Sequence, residues 1–199
     1  RSVGNITLCY TRSKNIAKAK VFSRKDNPTP EILDQRARMK ALVSLSRKII
    51  PVIRKGFVGI GNGTTSNAFV ARNMGAVNVD EKHVGTVDLD LLKLAAGILY
   101  PPKVTVAYST GSQKYTFEQE MQGEEDGFAL QDDRVYGVLY ETVLGRARLV
   151  TLRDRGESGS TSYALPEDWN NENVKAYCFA TSKNGRQASD SRVLTIGES

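Results

Sequence analysis

Hydrophobic and polar positions alternate with different periods along the chain, and the changes of period divide it into segments. Near the N-terminus, two runs of β-type residues, Asn5–Tyr10 and Ile16–Phe22, predict a hairpin or two extended strands. Between Pro30 and Gly56, apolar residues recur every three or four positions, which predicts a helix. From Asp88 onward the period approaches two, in short β-branched and aromatic runs separated by turn residues.

These patterns predict an α+β fold in three parts. Residues 1–28 form a basic N-terminal arm of short strands, and residues 29–87 form a helical segment with a glycine-rich connector. Residues 88–199 form a C-terminal antiparallel β-sandwich that resembles immunoglobulin and fibronectin modules. The helical segment is expected to hold one long helix and a short one behind it.

The first run of the arm has clean alternation, with Ile6, Leu8 and Tyr10 on one side. The second run is less regular, because Ile16 falls on the same face as Lys18. An arm with one apolar side can add a strand to the open sheet edge of a neighbour. We therefore expect the arm to make its assembly contacts through Val3, Ile6, Leu8 and Tyr10.

The long helix has clear start and stop signals. Thr29 can cap free N–H groups, and Pro30 suits the first helical position, while Pro51 must kink or end the helix and Gly56 stops it in a left-handed conformation. One face is predicted to be buried, and it comprises Met39, Leu42, Val43, Ser46, Ile49, Ile50 and Ile53.

A cationic stripe follows one flank of the same helix and comprises Arg36, Lys40, Arg47 and Arg54. At about 100° per residue these four positions fall within a band roughly 40° wide, at one edge of the apolar arc. The stripe is either a surface that faces phosphate or carboxylate groups, or a solvated flank whose long stems cover the edge of the core.

Two glycine-containing stretches carry further predictions. Gly59, Gly61 and Gly63 precede a short helix, Asn67–Met74, that Ser66 could cap, but no lysine follows the last glycine as a phosphate-binding loop requires. We interpret this stretch as a connector. Asn184–Gly185 predicts a type I′ turn that joins Val174–Thr181 to Ser189–Ile196 as a hairpin.

Charge is distributed unevenly around a net value of +6. Residues 1–60 hold 14 Lys and Arg against 3 Asp and Glu, whereas the remaining residues hold 14 against 19. A basic first third and an acidic remainder are compatible with three partners for the arm: nucleic acid, an anionic surface, or the acidic body of a neighbouring copy.

Catalytic and metal-binding signatures are absent from the sequence. His83 is the single histidine, so no histidine-based nucleophilic arrangement is expected, and we interpret it as an isolated surface residue. The acidic clusters Glu124–Asp126 and Asp132–Asp133 lack calcium-loop spacing and are interpreted as solvated loops. We expect no enzymatic activity, no catalytic residue, no metal and no cofactor. No apolar run approaches 18 residues, so no membrane span is expected.

Several motifs resemble an uncharacterised family of roughly 200-residue proteins, a domain of unknown function common in Bacteroides-type bacteria and their mobile elements. The matching stretches are "VGNITLCY", "NPTPEILDQRARMKALVSL" and "LPEDWNNENVKAYCFATSKNGRQASDSRVL". The family pattern fits Gly4, Asn5, Asn27, Pro28, Thr29, Pro30, Arg36, Gly56, Phe57, Ser189 and Ser191, and departs from this chain at Ile32–Leu33. The first 60 or so residues also look like those of small phage structural proteins.

The leading functional hypothesis is a non-enzymatic structural subunit of a repeated assembly, either a virion component or a surface filament. Its partners would be copies of itself and other assembly proteins, and its location a virion or a cell surface. One alternative is a nucleic-acid-binding protein that uses the arm and the cationic stripe, and is then cytoplasmic. Another is a secreted adhesin or carbohydrate-binding module, with Trp169 and the tyrosines as sugar platforms. A leader removed before Arg1 is compatible with each hypothesis.

Overall fold

The computed structural model describes residues 2–11, 13–20, 22, 26–61 and 63–198. The chain divides into two compact units, residues 1–33 and residues 34–199, and the division falls within the first helix. Residues on both sides of the predicted boundary between positions 87 and 88 belong to the second unit.

The first unit contains a three-stranded antiparallel sheet. Its strands are β1 (Ser2–Val3), β2 (Ile6–Thr11) and β3 (Lys14–Ala19), in that order across the sheet. The predicted hairpin is therefore present, although β3 begins two residues earlier than expected and ends at Ala19. Left-handed φ values of +54° at Gly4 and +61° at Ser13 occur in the two connections.

Three α-helices occur in the described residues, α1 (Pro30–Lys48), α2 (Ile50–Gly56) and α3 (Thr65–Asn73). The predicted start at Pro30 is confirmed. Pro51 was expected to kink or end the helix, and a break does occur beside it: Pro51 lies in the first turn of a second helix, and the two helices meet at Ile49. α3 begins earlier than predicted, since Thr64 rather than Ser66 accepts a hydrogen bond from the Asn67 amide at 3.2 Å.

The buried face of α1 and α2 is rotated from its predicted position. Leu42, Ser46, Ile49 and Ile53 are buried as expected, but Met39 is 54% exposed, whereas Leu45 and Val52 are buried. The core therefore covers the side of α1 centred near Leu45, and Met39 lies at its border. Burial was predicted from the apolar pattern alone, which does not show where the neighbouring elements pack.

Gly56 ends α2 for a reason that differs from the prediction. It is not among the residues with positive φ, so it is not a left-handed cap. An added Cβ there would lie 2.3 Å from the Leu94 carbonyl oxygen and 2.7 Å from Ala95 Cβ. Glycine allows α2 to approach the 94–96 segment closely, and the Ala96 amide donates to the Gly56 carbonyl at 2.9 Å.

The second unit holds a β-sandwich together with a two-stranded sheet of β4 (Val77–Val79) and β5 (Gly85–Val87). The sandwich strands are β6 (Val104–Ser109), β7 (Lys114–Gln119), β8 (Arg134–Glu141), β9 (Arg146–Asp154), β10 (Gly159–Ala164), β11 (Val174–Thr181), β12 (Arg192–Leu194) and β13 (Ile196–Glu198). One sheet has the order β10-β7-β6-β13 and the other β12-β11-β8-β9. Neighbouring strands are antiparallel, except that β13 runs parallel to β6.

Two hydrophobic cores flank the β12-β11-β8-β9 sheet. One core lies between the two sheets and includes Phe117, Leu139 and Cys178. The other lies between the helices and the opposite side of this sheet, where Tyr136 and Phe179 pack with helical residues. Strands β8 and β11 are consequently buried on both faces, which explains their nearly continuous apolar sequences.

Three strand-level predictions need correction. The glycines and serines of the stretch "RGESGSTSYALPEDW" predict a flexible loop, but β10 lies within it. The turn at Asn184–Gly185 is not of type I′, because only Gly185 has a positive φ, of +66°. The segment after it pairs with β11 only as far as Leu194, and Ile196 then pairs with Val106 in the other sheet.

Candidate functional site

One face of the N-terminal sheet is apolar. Side chains alternate between the two faces of a strand, and directly paired residues share a face. Val3 pairs with Ile6, Ile6 with Ala19 and Leu8 with Ala17, so these residues lie on one side. We call this the apolar face, and it comprises Val3, Ile6, Leu8, Tyr10, Ala17 and Ala19 together with Asn15 opposite Tyr10.

The large side chains of the apolar face are exposed to solvent. The exposed fraction is 68% for Val3, 48% for Ile6, 49% for Leu8 and 69% for Tyr10. The structure thus brings together the four residues that the sequence predicts for the assembly arm. A contiguous exposed apolar surface in a soluble protein is characteristic of an interaction site.

The opposite face of the same sheet carries positive charge. It holds Lys14 and Lys18 on β3, with the half-buried Cys9 and Ile16 paired to each other between them. We call this the cationic face. The lysines that disturb the alternation of the second run are therefore on the side away from the apolar face, and the sheet is amphipathic.

One border of the N-terminal sheet is formed by β3, and the other by the two-residue strand β1. In the described part of this unit β3 pairs with β2 alone, so its outer edge is available for pairing. A groove of about 540 Å³ adjoins this border and is lined by Leu8, Cys9, Tyr10, Asn15, Ile16 and Ala17.

The predicted cationic stripe is divided between two helices. Arg36, Lys40 and Arg47 lie on α1 and are exposed, while Arg54 lies on α2 and is also exposed. Stepping 100° per residue places the three α1 residues on the side roughly opposite Leu45, and not at the edge of the buried face. The three α1 residues of the stripe therefore lie on the exposed side of the helix, away from its buried face.

His83 and Cys178, which are residue types used in catalysis and metal binding, both have close neighbours within the protein. His83 is not isolated, because its Nδ1 lies 2.6 Å from Asp34 Oδ1. Burial raises the pKa of the Cys178 thiol to about 12, although Arg192 opposes the shift, so this thiol is neutral near pH 7. Within the described residues, no group of three or more His, Cys, Asp or Glu side chains is arranged to hold a metal ion.

The acidic clusters behave differently from one another. Glu124, Glu125 and Asp126 are exposed, as expected for a solvated loop, but Asp133 is fully buried beside Arg155, so its predicted solvation is wrong. Asp126 and Gly127 have φ values of +48° and +70°, and Glu125 and Ala129 exchange backbone hydrogen bonds around them. The Asp-Gly pair was the available sequence signal for this tight turn.

A cavity of about 400 Å³ lies beside the glycine-rich connector, near the start of α3. Its polar groups are largely engaged within the protein, since Thr64 caps Asn67 and Arg72 Nη2 lies 3.6 Å from Asp190 Oδ2. Burial alone would raise the pKa of Asp190, but hydrogen bonds from Lys93 and the Gly97 amide, with the charges of Lys93 and Arg72, lower it below its ordinary value. These contacts support a structural role for the ion pair.

Trp169 is not a surface platform for sugars. Its side chain is 5% exposed and belongs to the core between the two sheets, with the Arg148 guanidinium 5.9 Å from the ring centre. Of the tyrosines, Tyr10 on the apolar face is 69% exposed and Tyr100 is 38% exposed.

No family model matches the chain, and no curated protein matches it. Among solved structures it is similar to the adhesin domain of Epf from Streptococcus pyogenes, at 14% sequence identity and a TM-score of 0.34. The similarity covers 52% of this chain and 34% of that chain, so this chain spans about a third of the length of that structure. A TM-score of this size supports no statement about function.

In the described part of the chain, no helix is both long enough and apolar enough to span a bilayer.

Proposed function

We propose that this protein is a non-enzymatic structural subunit of a repeated assembly, and that the N-terminal sheet of each copy binds another copy. The observation that carries the proposal is the exposure of Val3, Ile6, Leu8 and Tyr10 on one face of a small sheet. Burying this face against a partner would remove apolar surface from water, which is the dominant favourable term in most protein association.

The form of assembly we favour is a virion component, with a surface filament as the second form. The resemblance of the first 60 or so residues to small phage structural proteins supports the virion form. In either form, the sandwich serves as an immunoglobulin-like or fibronectin-like body and the N-terminal sheet as the connecting element.

Deletion of residues 1–23 tests this proposal. The deletion leaves α1 whole, because the helix begins at Pro30, and it leaves the second compact unit intact. We expect the wild-type chain to form assemblies and the truncated chain to be a folded monomer, as measured by light scattering after size exclusion and by electron microscopy. Assemblies that persist after truncation would contradict the proposal.

A matched pair of substitutions separates the apolar face from the arm as a whole. Leu8→Ser with Tyr10→Ser removes two apolar-face side chains, whereas Thr7→Ser with Thr11→Ser changes the other face of the same strand. We expect the first pair to weaken assembly and the second pair to leave it unchanged.

Nucleic-acid binding is the second candidate function. It is favoured by the exposure of Arg36, Lys40 and Arg47 on one side of α1, away from the core. Lysine and arginine on one helix face can contact phosphates. The measurement that distinguishes this function is the salt dependence of duplex binding.

A further inference from the structure

The sandwich has four edge strands, β9, β10, β12 and β13, since each sheet ends at two of them. β12 and β13 are each three residues long, which gives few backbone groups for pairing. β9 is longer but carries Arg146, Arg148 and Arg153. Charged side chains on an edge strand oppose the addition of another strand, and these would repel a lysine-bearing one.

β10 differs from the other three edges. It is six residues long, has the sequence GSTSYA, and carries neither a charged side chain nor a proline. It pairs with β7 alone in the described part of the chain, so its second edge lies at the border of the sheet. Among the sandwich edges, β10 is thus the one that lacks the usual protection against strand addition.

We propose that β3 of one copy pairs with β10 of a second copy and thereby extends the β10-β7-β6-β13 sheet. This inference rests on the proposed function and names the surface that receives the N-terminal sheet. The two strands have equal length, six residues each. Strand addition supplies affinity through main-chain hydrogen bonds, while the side chains on the two faces determine the fit.

The outer face at β10 fits the cationic face of the N-terminal sheet. Ser160 and Ser162 point outward, and Ser160 is paired with Glu118 of β7. A concavity of about 280 Å³ at this position is lined in part by Glu118, Glu120 and Ser160. Lys14 and Lys18 of an added β3 would lie on this same side. With all six residues paired, one lysine lies beside Ser160 and Glu118, and the other lies beside Ala164, which is paired with Lys114 of β7.

The inner face at β10 fits the apolar face. Thr161 and Tyr163 point inward and are only half-buried, and Leu152 and Leu165 are partly buried against the same core. An added β3 with its lysines outward turns Ala17 and Ala19, and with them the rest of the apolar face, toward this open side of the sandwich. If β3 were turned over, its lysines would lie against Tyr163. The polar and apolar faces of the two strands therefore match in only one of the two facing arrangements.

Pairing of this kind is heterologous, because each copy donates one β3 and offers one β10. Such contacts generate a ring if the rotation between copies closes, and a filament if it does not. A single interface of this type is therefore sufficient for a repeated assembly.

The test blocks the edge while the N-terminal sheet remains unchanged. In the edge-blocked chain, Ser160→Lys and Ser162→Lys place positive charge on the outer face of β10, and the first lysine gains Glu118 as a neighbour within its own chain. We expect this chain to need about a tenfold higher concentration to assemble, because two like-charge neighbours oppose Lys14 and Lys18. Ser160→Thr with Ser162→Thr is the matched control and should assemble as the wild type does.

A mixing experiment tests the pairing directly with two full-length chains. The edge-blocked chain retains its N-terminal sheet, and the Leu8→Ser, Tyr10→Ser chain retains its β10 edge. Each alone should be largely monomeric, whereas the mixture should form a 1:1 complex in sedimentation velocity. Adding Lys14→Glu and Lys18→Glu to the edge-blocked chain should restore its assembly, since the charges are then opposite.

The outcomes separate this inference from the proposed function. If the wild type assembles and the edge-blocked chain assembles equally well, β10 is not the acceptor, although assembly through the N-terminal sheet stands. If the wild type remains monomeric at all concentrations, the proposed function fails. Circular dichroism and thermal melting confirm that each variant is folded, and the charge-reversal rescue would not occur if the lysines had only damaged the fold.

Discussion

A buried ion pair shows how two residues fix a long loop between β7 and β8. Arg155 Nε donates to Asp133 Oδ2 at 3.1 Å, and both side chains are fully buried. The same guanidinium donates to Gln122 Oε1 at 3.0 Å and to the Tyr100 carbonyl at 2.7 Å, while the Leu130 amide donates to Asp133 at 3.1 Å. The Arg155 side chain thus joins both ends of this loop to the segment at Tyr100.

Substitution of Arg155 should destabilise the second unit strongly. Arg155→Met leaves the Asp133 carboxylate buried without its counter-ion, and removal of one partner of a buried pair typically costs about 3–5 kcal/mol. We expect a loss of this size in the free energy of unfolding at pH 7, measured by urea denaturation. Arg186→Met, at an exposed position, is the control and should change stability by less than about 0.5 kcal/mol.

The loss should be smaller in acid. Burial raises the pKa of Asp133, and the Leu130 amide and Arg155 partly oppose this shift, so the pKa rises further when Arg155 is removed. A carboxyl whose pKa is raised on folding favours the folded state below its unfolded pKa and loses that contribution as the pH rises through its folded pKa. We expect the stability of Arg155→Met to approach that of the wild type near pH 4, and an equal deficit at pH 4 and pH 7 would contradict this account.

At the scale of elements, close backbone approach determines one helix end. Gly56→Ala would gain about 1 kcal/mol from helix propensity but would force a Cβ against the Leu94 carbonyl oxygen and Ala95. Because backbone atoms give way only with a shift of the 94–96 segment, we expect a net loss of about 1–2 kcal/mol in the free energy of unfolding.

Gly75→Ala is the matched control for this substitution. No heavy atom lies within 4 Å of the Cβ position at Gly75, and its φ is not positive. We expect its thermal midpoint to equal that of the wild type within a few degrees. Equal stability of both variants would show that the close approach at Gly56 is not needed for packing.

Element prediction from the sequence succeeded where one physical signal dominated. Pro30 marks the helix start, and the long apolar runs of β8 and β11 mark strands that are buried on both faces. It failed for β10, which lies at the border of its sheet and contains one large apolar residue, Tyr163. A strand with a single large apolar residue shows no alternating hydrophobic pattern. It also failed to separate β12 from β13. Between these two strands the chain passes from one sheet to the other, and this crossing depends on packing and not on local pattern.

At the scale of the whole molecule, the sequence located part of the candidate site and could not locate the rest. Alternation in β2 was enough to place Ile6, Leu8 and Tyr10 on one face, and pairing in the structure adds Val3 to it. The sequence of β3 did not reveal the cationic face. Its apolar side holds only the small residues Ala17 and Ala19, so the alternation with Lys14 and Lys18 is weak. The proposed acceptor edge arises from sheet order, which joins strands far apart in sequence.

The distribution of charge supports assembly between copies more strongly than it supports nucleic-acid binding. Residues 115–133 contain seven Asp and Glu and no Lys or Arg, and they include β7 apart from its first residue, Lys114. β7 is the neighbour of the proposed acceptor strand. A duplex approaching this side of the sandwich would be repelled, whereas the lysines of the N-terminal sheet would be attracted. Charge complementarity of this kind favours a partner of the same chain.

Charge reversal on α1 separates the two functions. If the cationic stripe bound duplex DNA, each phosphate contact would release counter-ions, and log K would fall with log salt at a slope of about −0.9 per contact. Arg36→Glu with Arg47→Glu would then weaken binding and make the slope shallower by about 2. We expect instead that the wild-type chain binds duplex at physiological salt no more tightly than about micromolar, the range of non-specific binding. If the stripe adds contacts between copies to those of the N-terminal sheet, the double reversal disrupts assembly without unfolding the monomer. Fluorescence anisotropy with labelled duplex across a salt series, beside light scattering of both chains, makes the comparison. Submicromolar, salt-sensitive binding by the wild-type monomer, lost on double reversal, would assign the stripe to nucleic acid.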